Sequence, residues 1–256
     1  MADDPKKPID ENEHSFKTIE ARPVTLTDDF DYFGQKLHRR ILSKILVLLI
    51  KIVFVYIIGF IFLGFRVKHK ENYIAMKKKG AVVVSNHVHP FDAFMVGSTF
   101  WPKRFYFTML KTNLGLPLFG KLFHLIGGAP IPDTKEHLIR YQSLLNDRLL
   151  KGSMIAVFPE ASLRPYCTHI RPFKKGAFRF AFQSNVDIIP MIFVFKKPEG
   201  LYKYLKKKPC IHLHILPAYK LVEKSTKYET LSYNTDALQQ ILTDYFNTNS
   251  DYLGGD

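Results

Sequence analysis

Apolar positions follow two patterns along this chain. From Ile45 to Phe65 they run almost unbroken, as ILVLLI, then Lys51, then fourteen apolar residues ending at Phe65. Beyond Lys70, short apolar runs alternate with stretches of helical period, and Gly or Pro marks the joins. GAVVVSN (80–86), RFYFTML (104–110), MIAVFPE (154–160), DIIPMIFVF (187–195) and CIHLHILPAY (210–219) are rich in β-branched and aromatic residues and predict strands. Residues 92–101, 117–126, 134–150, 174–183 and 235–247 predict helices. In the third of these, Leu138, Tyr141, Leu144, Leu145, Leu149 and Leu150 recur at helical spacing, with Asp133 or Thr134 as the N-cap. Strand and helix in alternation predict an α/β sheet with covered faces.

As one helix, the 21 residues from Ile45 to Phe65 would reach roughly 30 Å, about the thickness of a bilayer's hydrocarbon core. Both flanks are basic, with Arg39, Arg40 and Lys44 before and Arg66, Lys68 and Lys70 after. Positive charge at both ends argues against a single crossing, because only one side of a membrane attracts it. The expectation is a membrane-embedded helix or helical hairpin in one leaflet, its lysines reaching to the head groups, with a buried core helix as the plain alternative. Residues 1–31 carry nine acids and Pro5, Pro8 and Pro23, without a signal-peptide pattern, and read as a flexible cytosolic tail. The chain thus divides into a tail (1–31), an anchor (32–66) and a catalytic domain (67–256), anchored to the cell membrane and facing the cytoplasm.

With 256 residues, 46% of them hydrophobic, the chain is long and apolar enough for one sizeable core but not for a multidomain machine. The net charge is +14, and since residues 1–31 are acidic the remainder carries 33 basic against 14 acidic residues, a net +19. A field of that sign draws nucleic acid, anionic membranes and phosphorylated small molecules. Cys167 and Cys210 fit neither a disulfide framework nor a zinc spacing.

Candidate chemistry is concentrated in SNHVHPFD (85–92), where the strand AVVV ends and a helix begins, the position at which open α/β sheets place ligands. Singly, His87 reads as a loop histidine and Asp92 as a helix-start acid. Together, a tight turn can bring them into contact, so that the carboxylate fixes the imidazole tautomer and frees the other nitrogen to take a proton. No Gly-x-Ser-x-Gly elbow is present, so the proton would come from a substrate hydroxyl. His87, His89 and Asp92 could instead ligate a metal, but no further cluster completes a coordination set, and none is expected.

Asn86, His87 and Asp92, spaced as Asn-His, four residues, Asp, resemble the first signature of the glycerophospholipid acyltransferases, specifically the 1-acylglycerol-3-phosphate (lysophosphatidate) acyltransferases. GGAPIPD (127–133), FPEAS (158–162) and IIPM (188–191) follow in the family's order, with RPFKKGAFRFA (171–181) also similar, over roughly residues 70–200. The resemblance implies a single mixed sheet flanked by helices, with His87 and Asp92 catalytic. It also implies transfer of an acyl group from acyl-CoA or acyl carrier protein to the hydroxyl of lysophosphatidate. The thioester is a co-substrate and no cofactor is implied. Gly128, Asp133, Pro159, Gly176 and Pro190 are motif positions.

Two departures bear on the acceptor. The family's second region usually ends in arginine after the Asp, where this chain has Thr134 and Lys135, and a lysine cannot reproduce a guanidinium fork. Its third region usually reads Phe-Pro-Glu-Gly-Thr-Arg, where this chain has Ala161, Ser162 and Leu163, with Arg164 one step late. Another lysophospholipid or a glycolipid hydroxyl is therefore the alternative acceptor. Glu160, Ser162, Lys135 and the cations Arg164, Arg171, Lys174 and Lys175 are the expected glycerol-phosphate contacts, with a solvated basic face as the plain reading of the cations. Leu201 to Lys208 mixes Tyr, Leu and Lys as a head-group interface does, and His212 and His214 read as packing or surface residues. Single-stranded nucleic acid suits the same mixture, but no RNA-binding signature accompanies it and nucleic acid is not expected. The expected partners are a membrane lipid substrate, an anionic membrane surface and, as donor, acyl carrier protein.

Overall fold

The computed structural model describes residues 21–34, 37–74, 79–117 and 119–254. Seven strands form one sheet in the order β1-β7-β6-β2-β5-β3-β4: β1 Arg66–Lys68, β2 Ala81–Val84, β3 Phe105–Leu110, β4 Gly128–Ile131, β5 Met154–Val157, β6 Ile188–Lys196 and β7 Cys210–Ile215. All neighbouring pairs are parallel except β6 with β7, so the sheet is mixed, as the family resemblance implied. β2 and β5 are buried at every position and β6 at all but Lys196. Parallel strands need cover on both faces and so read as continuous apolar runs rather than alternating ones.

The helices are α1 Leu37–Ile50, α2 Lys70–Ile74, α3 Asp92–Phe100, α4 Phe119–Leu125, α5 Lys135–Leu150, α6 Gly176–Ser184, α7 Tyr202–Leu205 and α8 Lys227–Asn249. α5 buries Tyr141, Leu145 and Leu149, spaced four apart, and Thr134 caps it by accepting the His137 N–H at 3.3 Å. α8 starts eight residues before the expected 235, because Thr226 and Glu229 form a reciprocal capping box there. β4 lies in GGAPI, which the sequence pattern did not predict as a strand. As an edge strand it tolerates Pro130, and Gly128 is needed because a Cβ there would lie 2.7 Å from the Phe123 carbonyl oxygen and 2.9 Å from Met109 Sδ.

The amino-terminal part differs from expectation. No helix among the described residues is long and apolar enough to cross a membrane. The apolar run is not one regular helix: α1 gives way at Lys51 to a π-helical stretch, Lys51–Phe62, that packs against α3. α1 and this stretch nonetheless leave Ile41, Ile45, Leu49, Ile57, Phe60 and Phe62 exposed. Residues 21–31, grouped by charge with the tail, lie on the domain. Leu26, and Tyr32 and Phe33 just after, are buried in the core, and Asp28 pairs with His137 at 2.8 Å. The tail reading of residues 1–20 falls outside the described residues.

Candidate active site

The site is built on the loop that leaves β2. Asn86, fully buried, turns its amide onto β6: Phe193 N–H donates to Oδ1 at 2.8 Å, and Nδ2 donates to Phe193 O at 3.0 Å. This side chain ties the loop to β6 three residues beyond Pro190, the residue that pairs with Val84. The chain then turns sharply, and Asp92, fully buried at the start of α3, gathers the turn with one oxygen. Its Oδ2 accepts the backbone N–H groups of Val88 at 2.6 Å and His89 at 2.9 Å, and lies 3.0 Å from His87 Nδ1. The His87 side chain is 22% exposed, so its Nδ1 is engaged while the ring reaches a cavity. Phe158 stacks against the ring at 4.4 Å and 20°.

A second layer holds the same loop from behind. Glu160 accepts the His87 backbone N–H at 3.1 Å and the Arg171 backbone N–H at 3.1 Å, and the Arg171 guanidinium donates to it at 2.6 Å. The guanidinium also donates to Ser162 Oγ at 2.6 Å and to the Ser162 carbonyl. All three residues are buried. Burial pushes the Glu160 carboxyl above its ordinary range, and the Arg171 guanidinium and the two backbone N–H groups offset only part of that rise. Two further backbone bonds, Arg164 N–H to His87 O at 3.2 Å and Tyr166 N–H to Val88 O at 2.9 Å, complete the frame. His89 is held low by burial, and its Nδ1 accepts the Phe91 N–H at 3.2 Å.

The cavity beside His87 has a volume of about 340 Å³. Phe94, Phe107, Met109 and Phe123 make its walls apolar, while Lys174 and the first residues of α6, Gly176 and Ala177, bring a cation and a helix N-terminus to it. Ala93, Phe94 and Phe107 also line a second apolar cavity of about 510 Å³ that runs along α1, so one aromatic wall separates the two.

Of the residues expected at the site, His87, Asp92, Asn86, Pro159, Lys174 and Gly176 are brought together around this cavity or the loop beside it. Glu160, Ser162 and Arg171 lie behind the loop rather than in the cavity. Lys175 turns to α8, donating to Ser232 Oγ at 2.5 Å and capping the Tyr228 ring at 4.0 Å. Lys135 is exposed at the start of α5 and does not line the cavity, and Asp133 pairs with Lys111. Gly128 serves packing in β4. Ala161, standing where the family usually has glycine, lines the cavity with a left-handed φ of 62°. Sequence reasoning gave no role to Phe158 or to the aromatic wall, because phenylalanine in a strand-rich domain carries no signal beyond packing. No group of three or more His, Cys, Asp or Glu side chains among the described residues could hold a metal.

A covered α/β sheet with an oriented histidine at a strand end, opening on an apolar cavity with a cation at its edge, is an arrangement that can take a proton from a hydroxyl group. The Acyltransferase family model matches residues 64–194, half of the chain, and the chain belongs to that family. It is 33% identical over 167 residues to an uncharacterized acyltransferase of Schizosaccharomyces pombe, covering 57% of this chain and 58% of that protein. It is 34% identical over 120 residues to a 1-acyl-sn-glycerol-3-phosphate acyltransferase of Limnanthes douglasii, covering 45% of this chain and 41% of the other. To the enzyme of that name in Saccharomyces cerevisiae it is 31% identical over 134 residues, covering 51% and 43%. The chain thus spans about half the length of the curated relatives it matches. The fold is similar to the crystal structure of the 1-acyl-sn-glycerophosphate (LPA) acyltransferase PlsC of Thermotoga maritima, with a TM-score of 0.56, 16% identity and 86% of each chain covered.

Proposed function

We propose that the protein transfers a fatty acyl group from a thioester, acyl-CoA or acyl carrier protein, to the free hydroxyl of lysophosphatidate, giving phosphatidate. The observation that carries this reading is the His87–Asp92 pair, 3.0 Å apart with Asp92 anchored by two backbone N–H groups. Asp92 holds Nδ1, so Nε2 takes the proton of the acceptor hydroxyl as its oxygen attacks the thioester carbonyl carbon. The tetrahedral intermediate expels the thiolate, which recovers the proton from the imidazolium. A base of this kind contributes on the order of 10²–10⁴ in rate, and holding two lipidic reactants together supplies more.

Three further features support the reading. The cavity walls are apolar, as an acyl chain requires. Lys174 and the α6 N-terminus offer charge-assisted and dipole contacts to a phosphate monoester. The exposed Ile41, Ile45, Leu49 and Phe62 suit attachment to one leaflet of the cell membrane, with the catalytic domain on the cytoplasmic side. No metal or prosthetic group takes part in the steps above.

A second reading, an acceptor other than lysophosphatidate, is favoured by one observation: Leu163, where the family usually has arginine, is a buried apolar residue. Incubation of the detergent-solubilised protein with labelled acyl-CoA or acyl carrier protein and a panel of lysolipids tests both. Acylation of lysophosphatidate in preference to lysophosphatidylcholine, lysophosphatidylglycerol and a glycolipid supports the first reading. Preference for one of the others supports the second, and no acylation of any acceptor contradicts both.

A further inference from the structure

A larger, open cavity, of about 1090 Å³, lies at the other edge of the sheet, lined by the end of the apolar segment, β1, β7, α7 and the end of β6. It shares no residue with the His87 cavity. Its charged lining is Arg66, Lys68, Lys196 and Lys197 against Glu199 and Asp251, a net of two positive charges. Asp251 is taken up by Lys196 Nζ at 2.8 Å and the Lys197 backbone N–H at 2.9 Å. The strand register sets Arg66 beside His212 and Lys68 beside His214. His214 is 6% exposed and its Nδ1 meets the Tyr245 hydroxyl at 2.9 Å, while its Nε2 is buried with no hydrogen-bond partner among the described residues. Four cations against two carboxylates in the wall of one cavity suit a ligand that carries negative charge.

The rim is of the opposite character. Phe60 and Ile61 of the π-helical stretch, Leu201 just before α7 and Leu205 at its end line the cavity and are exposed. These two elements, far apart in sequence, are fastened together. The Tyr202 hydroxyl donates to the Phe60 carbonyl, Lys206 Nζ donates to the Phe62 carbonyl at 2.7 Å, and the Arg66 guanidinium lies 4.0 Å over the Phe60 ring. A cationic floor under an apolar rim continuous with the exposed apolar segment matches a molecule with a phosphate at one end and acyl chains at the other.

We propose that this cavity binds the phosphate head group of an anionic phospholipid, as a second lipid site separate from the one beside His87. It goes beyond the catalytic reading and uses neither His87 nor the acyl donor. Arg66, Lys68 and Lys197 neutralise the phosphate, the imidazoles of His212 and His214 stand beside them in the wall, and Phe60, Leu201 and Leu205 hold the first carbons of the chains.

The test is a titration of the full-length protein, labelled at the histidine rings, with water-soluble dihexanoyl phosphatidylglycerol, dihexanoyl phosphatidylcholine, inorganic phosphate and CoA. The short-chain lipids remove any need for a bilayer, and the His87→Ala protein serves as a parallel sample, so failure of the catalytic reading leaves this result unaffected. Saturable shifts of the His212 and His214 resonances by phosphatidylglycerol are expected, in both proteins. The Lys68→Ala/Lys197→Ala double variant should bind roughly 5- to 30-fold more weakly, the effect of two cations at an anionic head group. A matched Lys151→Ala/Lys220→Ala variant should bind as the parent does. No shift, equal shifts with phosphatidylcholine, or unchanged binding by the first double variant would overturn the proposal. Binding of phosphate or CoA as tight as that of phosphatidylglycerol would show a soluble-anion site and overturn it too.

Discussion

Glu160 accepts the backbone N–H of His87 at 3.1 Å, from a buried position on the far side of the loop from the cavity. The glutamate of the third motif thus fixes the backbone of His87 and does not line the cavity beside it. Arg171 makes this possible: its guanidinium balances the carboxylate and also ties it to Ser162.

Removing one partner of such a buried pair leaves the other uncompensated, at a cost of about 3–5 kcal/mol. Glu160→Gln should therefore lower the unfolding free energy in urea by an amount of that order and reduce kcat through a loosened His87. Unchanged stability with only a raised KM for the acceptor would mean that Glu160 contacts substrate instead.

Lys174 and Lys175 are adjacent in sequence and separate in role. Lys174 lines the His87 cavity, whereas Lys175 is bonded to Ser232 and stacked on Tyr228. Lys174→Ala should raise KM for a phosphate-bearing acceptor by about 10-fold, equivalent to one charge-assisted hydrogen bond of about 1.4 kcal/mol, with little change in kcat. Lys175→Ala should leave KM unaltered and show up in thermal stability. Steady-state kinetics on the two variants separates these roles.

Ala161 holds a left-handed φ of 62° on an exposed loop. That conformation costs an L-residue about 1–2 kcal/mol, and glycine relieves it while giving back about 0.4–1 kcal/mol of unfolded-chain entropy. Ala161→Gly should therefore stabilise the protein by roughly 0.5–1 kcal/mol in denaturant titration. A loss of stability would show that the methyl group is packed against something that compensates its backbone.

His212 and His214 are pushed down to about 4, chiefly by burial, with Lys68, His69 and neighbouring cations adding to the effect. In the unfolded chain these rings titrate near the ordinary 6.5, so below that pH the unfolded state binds more protons than the folded one. Their contribution is complete above about pH 6.5 and drains away as pH falls toward about 4. Urea unfolding as a function of pH should show this slope in the parent protein and a shallower one in His212→Gln. An identical slope in the variant would contradict the assignment.

Much of the fold was legible because burial on both faces writes itself as an unbroken apolar run, as in Ala81–Val84, Met154–Val157 and Ile188–Phe195. β4 was not, since Gly127, Gly128, Pro130 and Pro132 look like a loop until the strand's place at a sheet edge is known. The early start of α8 was legible in principle, from Thr226 and Glu229, but the apolar spacing drew attention further along. The docking of Leu26, Tyr32 and Phe33 was hidden among acids, where net charge outweighed three aromatic and aliphatic positions. At the site, His87 and Asp92 could be paired from their spacing because one turn joins them. The Glu160–Arg171 clamp could not, because the ten residues between them have no period and the contact depends on how that loop folds back.

The most direct measurement is single-turnover acyl transfer from labelled acyl-CoA to lysophosphatidate by the parent, His87→Ala and Asp92→Asn proteins, with folding and vesicle binding checked in parallel. Asp92→Asn keeps an acceptor for the Val88 and His89 N–H groups and loses the charge beside His87. The expected result is a rate reduced on the order of 10²–10⁴ in each variant, with fold and membrane binding retained. Near-parental turnover by folded His87→Ala protein would contradict a reaction in which His87 takes the acceptor's proton.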